Sequence, residues 1–164
     1  MPKNHIGFTL IEILVAIGIM GLVAVVAIPN LRNFNEDQLL RNASLQVMQS
    51  IRQTQTNAQA NIVCPQTKKA SKNWSFLVAG STSYRLQVDC LTSTGLDDTS
   101  EIIDPVSISP LNITTNCSSG GVANKITYSR YSVLIDGQSC TVTINNPQTS
   151  QNKVITINKG GAIY

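Results

Sequence analysis

From Phe8 to Ile28 the chain reads FTLIEILVAIGIMGLVAVVAI, 21 residues in which only Thr9 and Glu12 are polar or charged. At 1.5 Å per residue such a helix is roughly 30 Å long, the thickness of a bilayer's hydrocarbon core. No other segment restricts the possible folds as strongly. A cleaved secretory signal, with Lys3 as its charged region and a cut after Ala27, is the competing reading. It is opposed by the length of the apolar run and by the acid inside it. An ionised carboxylate near the bilayer interior costs about 2.5–3.5 kcal/mol even on the mild insertion scale, so a chain that keeps one needs a partner for it. Nothing inside the segment is cationic. A new α-amino group at Phe8, created by cutting after Gly7, would supply one. Phe8 and Glu12 lie four apart, on one helix face, and the amine can equally meet Glu12 of a neighbouring copy.

The residues Gly7-Phe8-Thr9-Leu10-Ile11-Glu12, after a short basic leader and before an apolar run, resemble the class III signal of type IV prepilins and type II secretion pseudopilins. The resemblance implies cleavage between Gly7 and Phe8 by a prepilin peptidase, N-methylation of Phe8 by the same enzyme, and Glu12 as the assembly residue. It also implies a single-pass protein in the bacterial cytoplasmic membrane, in contact with the lipid bilayer before assembly. An assembly platform in that membrane then passes it, with other pilin or pseudopilin subunits, into an extracytoplasmic, cell-surface filament. Gly21 and Pro29 mark an expected helix break. Pro lacks an N–H and clashes one turn back, and Gly costs about 1 kcal/mol against Ala in a helix interior. Gly18 and Gly21 equally suit close packing of membrane helices.

After Asn30 the pattern becomes one-sided. Leu40, Ala43, Val47, Ile51, Ala58 and Ile62 recur at helical spacing, opposite Arg41, Gln49, Arg52, Gln53 and Gln59. One helix over residues 8–62 is expected, about 80 Å long before bending and ended by Cys64-Pro65. Residues 8–28 form its membrane or filament-core half, residues 1–7 the leader, and residues 63–164 a disulfide-stabilised β-rich domain. Val47 to Cys64 and Val154 to Ile163 resemble the corresponding segments of H-type minor pseudopilins and minor pilins. Tyr84, Leu86, Val88 and Cys90 alternate with polar residues and pair with Trp74–Val78 as a hairpin. A second hairpin is expected between 131–135 and 138–144 across Asp136-Gly137, followed by a strand from Lys153 to Ile157. The fold class is α+β, a long N-terminal helix packed on a mainly antiparallel, pilin-like domain.

The polar surface is mostly uncharged. Charged residues are only 13% of the chain, and 57 of 164 residues are Asn, Gln, Ser or Thr. The single His5 falls in the leader, which removes imidazole-based triads and metal sites from the mature chain and argues against an enzyme. Four cysteines, Cys64, Cys90, Cys117 and Cys140, lack the short paired spacing of a zinc site and read as disulfides. Three connectivities are possible, and joining neighbouring segments gives Cys64 with Cys90 and Cys117 with Cys140. No cofactor is expected, except that Asp97, Asp98, Glu101 and Asp104 gather carboxylates that could take calcium. Lys68, Lys69 and Lys72 beside Trp74 could contact single-stranded DNA, or could be a solvated loop beside a core residue. DNA-binding relatives carry arginines after the terminal Gly turn. This chain has none there, so DNA is not carried over as a partner. The expected function is a structural subunit, minor pilin or pseudopilin. The alternative is a filament-tip binding module for DNA, a surface or a secreted substrate.

Overall fold

The structure, a computed structural model, describes residues 8–91, 99–103, 105–130 and 138–164 and, for residues 26–33 and 99, the backbone only. Among the described residues one helix, α1 (Leu10–Gln59), is followed by ten strands: β1 (Ser71–Val78), β2 (Ser83–Cys90), β3 (Thr99–Ile102), β4 (Val106–Ser107), β5 (Asn112–Thr115), β6 (Ser118–Ser119), β7 (Val122–Ala123), β8 (Lys125–Tyr128), β9 (Cys140–Asn145) and β10 (Asn152–Ile157). The chain divides into two compact units, Met1–Gln38 and Leu39–Tyr164.

In the second unit the helix buries Leu40, Ala43, Val47, Ile51, Thr54 and Ala58, spaced three and four apart, so one continuous stripe faces inward. Thr54 is the member that an apolar pattern overlooks. Its hydroxyl donates to the Ser50 carbonyl at 2.8 Å, which satisfies the buried oxygen without leaving the helix. Ile62, expected as the last member of the stripe, is instead exposed. The reason is where the helix stops. Asn61 takes the left-handed conformation at φ 54°, the Ile62 N–H donates to the Asn57 carbonyl at 3.1 Å, and the Asn61 N–H donates to Ala58 at 3.3 Å. This paired closure is a Schellman motif with Asn at the left-handed position. The helix therefore ends before the expected boundary at residue 62 and before Cys64-Pro65. Towards its start, the backbone is helical through Gly21 and Pro29.

Against the helix stripe lies the larger sheet, ordered β3-β2-β1-β8, with β4 also pairing along β2. The β1–β2 hairpin sets Trp74 opposite Val88, Phe76 opposite Leu86 and Val78 opposite Tyr84, while β8 places Tyr128 beside Trp74 and Ile126 beside Phe76. Period-two alternation puts these side chains in one core with the helix stripe. Phe76 and Tyr84 stack with ring centroids 4.9 Å apart. Tyr84 reaches the helix, its hydroxyl 2.9 Å from that of Ser50. Burial raises the Tyr84 phenol above its ordinary pKa, although the Ser50 bond works the other way. Burial alone pushes Tyr128 well above the usual phenol range. Replacing Tyr84 with Phe keeps the stack and removes the bond, and is expected to cost about 1 kcal/mol in denaturant unfolding.

Trp74 is buried to 2% exposure and its indole N–H donates to the Ile62 carbonyl at 3.3 Å. It is a core residue, so no base can stack on it beside Lys68, Lys69 and Lys72. The smaller sheet runs β10-β9-β5. β9 pairs β10 along one edge and β5 along the other. Its partners are thus not those of the hairpin expected across Asp136-Gly137; residues 131–137 lie outside the described residues. The Asn145-Asn146-Pro147 turn does join β9 to β10, held by Asn146, whose Oδ1 accepts from the Gln148 N–H at 2.9 Å. After β10 the chain turns at Gly161, where φ is 80°, and folds back so that Thr156 and Tyr164 exchange both backbone bonds. Gln55 of α1 donates to the Gly161 carbonyl at 3.3 Å, fixing that turn to the helix.

Candidate functional site: the capped N-terminal segment and the disulfide-bonded domain

Thr9 is the N-cap of α1 and Glu12 its third helical residue, the spacing of a capping box. The Thr9 N–H and hydroxyl both donate to Glu12 Oε2 at 2.9 Å, and the Glu12 N–H approaches Thr9 Oγ1 at 3.4 Å. An acid at a helix N-terminus is also favoured by the helix dipole. Thr9-Leu10-Ile11-Glu12 spells this box in the sequence, a signal beside the unpartnered charge that the apolar run makes conspicuous. Within a single chain the carboxylate is held by its own helix start. The bond between Gly7 and Phe8 precedes the N-cap; Gly7 lies outside the described residues.

Around and beyond the cap, the large apolar side chains from Phe8 to Val25 are between 52% and 84% exposed. Ile11, Glu12, Val15, Ala16 and Ile19 line one shallow apolar groove. An apolar surface of this extent requires lipid or protein to cover it. Among the described residues no helix is long and apolar enough to cross a membrane. The described side chains of the expected span stop at Val25, short of Ile28.

In the β-rich unit, Cys64 is bonded to Cys90 and Cys117 to Cys140, with Cα atoms 6.1 and 5.0 Å apart. The first ties the turn after α1 to the end of β2. The second ties the segment after β5 to the start of β9. Loops of this length constrain the unfolded chain by about 2–4 kcal/mol each in the entropy account. Of the four carboxylates considered for calcium, Asp97, Asp98 and Asp104 lie outside the described residues. Glu101 is turned onto the protein's own backbone. Its two oxygens accept from the N–H groups of Gln66 and Thr67, each at 2.8 Å. Desolvation opposes its charge, but the Thr67 hydroxyl, those two N–H groups and Lys68 together hold its pKa below the ordinary value.

A carboxylate with a folded pKa below its unfolded one contributes stability that is complete above the unfolded value and disappears as pH falls through the folded value. Thermal melts from neutral to acid pH are expected to show the wild type losing its advantage over Glu101→Gln on the acid side. Parallel curves across that window would contradict the clasp.

Comparison with known proteins bears on both parts of the chain. Residues 2–28 match the family described as the prokaryotic N-terminal methylation motif. No curated protein sequence matches the chain. The fold is similar to that of the type IV minor pilin FimU of Pseudomonas aeruginosa strain PAO1 in two crystal forms. One gives a TM-score of 0.53 at 13% identity, covering 80% of this chain and 90% of that one. The other gives 0.51 at 12% identity, covering 76% and 90%. At such identities the likeness establishes a pilin-like α+β fold.

Proposed function

We propose that this chain, whose N-terminal motif and fold both support the type IV pilin family, is a filament subunit, a minor pilin or pseudopilin, assembled through its N-terminal helix. Its precursor is anchored in the cytoplasmic membrane by residues 8–28, cut between Gly7 and Phe8, and methylated on the Phe8 amine. The observation that carries this reading is the pairing of a capped acid at Glu12 with an uninterrupted exposed apolar surface after it. A surface apolar all round is incompatible with water and compatible with either lipid or a packed bundle of like helices. Moving from one to the other gains little hydrophobic free energy, because lipid tails are as apolar as leucine. The gain comes from packing and from pairing of polar groups.

Glu12 supplies the polar part. In the precursor its carboxylate has the Thr9 N–H and hydroxyl. Cutting before Phe8 places a cation one residue from the cap, within reach of its own Glu12 or of a neighbour's. The partners this implies are other pilin or pseudopilin subunits, a prepilin peptidase and a platform in the membrane.

The reading is tested by shearing surface filaments from cells that express a tagged chain. The tag is expected in the sheared filaments, and loss of the cell's prepilin peptidase is expected to hold it in the membrane at precursor mass. A tag that remains in the membrane at mature mass while filaments form normally would count against a subunit.

A further inference from the structure

The geometry points to the free edge of β8 as a docking site for an extended, acidic segment of another polypeptide, added as one more strand to the larger sheet. β8 ends that sheet, with β1 as its neighbour. The Val78 N–H donates to the Asn124 carbonyl at 3.0 Å, and the register continues with Phe76 opposite Ile126 and Trp74 opposite Tyr128. Backbone groups alternate in direction along an antiparallel pair. Asn124, Ile126 and Tyr128 therefore turn theirs onto β1, and Lys125 and Thr127 turn theirs outward. Among the described residues neither Lys125 nor Thr127 makes a backbone hydrogen bond on that outer side.

Burial separates this edge from the opposite one. At β3 the Ile103 N–H donates to the Leu86 carbonyl at 2.9 Å, so by the same alternation Ser100 and Ile102 turn outward. Both are exposed, and water satisfies them. Thr127 is only 4% exposed. With Lys125, Ile126 and Ser119 it lines a cavity of about 300 Å³. Ser119 is buried as well, and its hydroxyl has no partner. Buried backbone and hydroxyl groups are almost always paired in native proteins, so this cluster suits a ligand that supplies donors and acceptors in turn. An anion alone would meet the two outward carbonyls, whereas an added strand sets N–H against C=O all along the edge.

Charge decides which strand. Among the cavity's described lining residues Lys125 is the only charged one. A second copy of this chain brings no free acid to it. β8 against β8 sets lysine near lysine, β10 carries Lys153, and the Glu101 carboxylate of β3 is already bound by the Gln66 and Thr67 N–H groups. Opposite charges on paired strands are favourable and like charges are not, so an acid facing Lys125 selects a foreign segment over self-pairing. The inference is independent of the filament reading.

The test titrates the full chain in detergent, isotope-labelled at its amides, with the blocked peptide acetyl-Thr-Val-Glu-Val-Thr-amide and follows the amide resonances. The Lys125 and Thr127 amide protons should move downfield as they acquire carbonyl acceptors, while those of Ser100 and Ile102 stay in place. The counterpart peptide with Lys for Glu should bind about fivefold more weakly. A version N-methylated at every residue, which can neither donate to the edge nor approach it closely, should produce no shift. Lys125→Glu should reverse the preference between the two unmethylated peptides. Lys125 and Thr127 amides that ignore the Glu peptide at millimolar concentration, equal binding of both peptides, a response to the N-methylated form, or an unchanged preference in Lys125→Glu would each overturn the site. So would shifts of the same two amides on concentrating the chain alone, the signature of a second copy on this edge.

Discussion

Replacing Glu12 with Ala is expected to leave membrane insertion intact and to abolish incorporation into filaments. Insertion should if anything become easier, because a carboxylate inside the apolar run costs up to about 2.5–3.5 kcal/mol, the figure for the bilayer centre, and Ala costs nothing comparable. Assembly should fail because packing alone then has to draw helices out of lipid. The capping box complicates this, since Glu12 also accepts from the Thr9 N–H and hydroxyl, and Ala removes the cap with the charge. Glu12→Gln separates the two: an amide can still complete the box but cannot neutralise an amine. The account therefore predicts that Gln restores the helix start, measured by hydrogen exchange at Thr9, while the subunit stays in the membrane fraction. Normal incorporation of the Ala variant, judged by immunoblots of sheared filaments, would remove charge pairing from the account.

Trp74→Ala is expected to produce the largest loss of stability in the β-rich unit. The indole is buried between Val88 on β2 and Tyr128 on β8, and its N–H satisfies the Ile62 carbonyl just after the helix stop. Truncation leaves a cavity between three strands and frees a carbonyl. Buried Trp-to-Ala changes cost about 3–5 kcal/mol, a large share of the roughly 5–15 kcal/mol that a domain has. Urea unfolding of the full chain in detergent, followed by circular dichroism, should show a midpoint far below wild type. A midpoint shifted no more than that of Tyr84→Phe would mean that Trp74 does not organise this core.

The stripe from Leu40 to Ala58 was readable because helical periodicity needs only apolar residues at the right spacing, and the β1–β2 hairpin because alternation is local. Thr54 escaped notice because its burial depends on a backbond to Ser50, which hydropathy does not register. The stop at Asn61 is a matter of φ, available to Asn but not demanded by it, so the apolar pattern ran on to Ile62. β9 also has a partner that no local pattern discloses, for a different reason. Its partner β5 lies more than twenty residues upstream, and Asp136-Gly137 offered a closer hairpin. Strands as short as β4, β6 and β7 carry no period at all. At the N-terminus the reverse happened, since Thr9 and Glu12 spell a capping box, but an acid in an apolar run draws attention to its charge before its hydrogen bonds.

The most direct measurement is the mass of the N-terminal peptide from the chain isolated from native membranes or filaments. A peptide beginning at Phe8 and carrying one methyl group on its amine is the predicted result. A chain that begins at Met1 would leave Glu12 without the cation that the proposed assembly requires, and one that begins at Ile28 would have lost the apolar half of the helix; either would contradict the account.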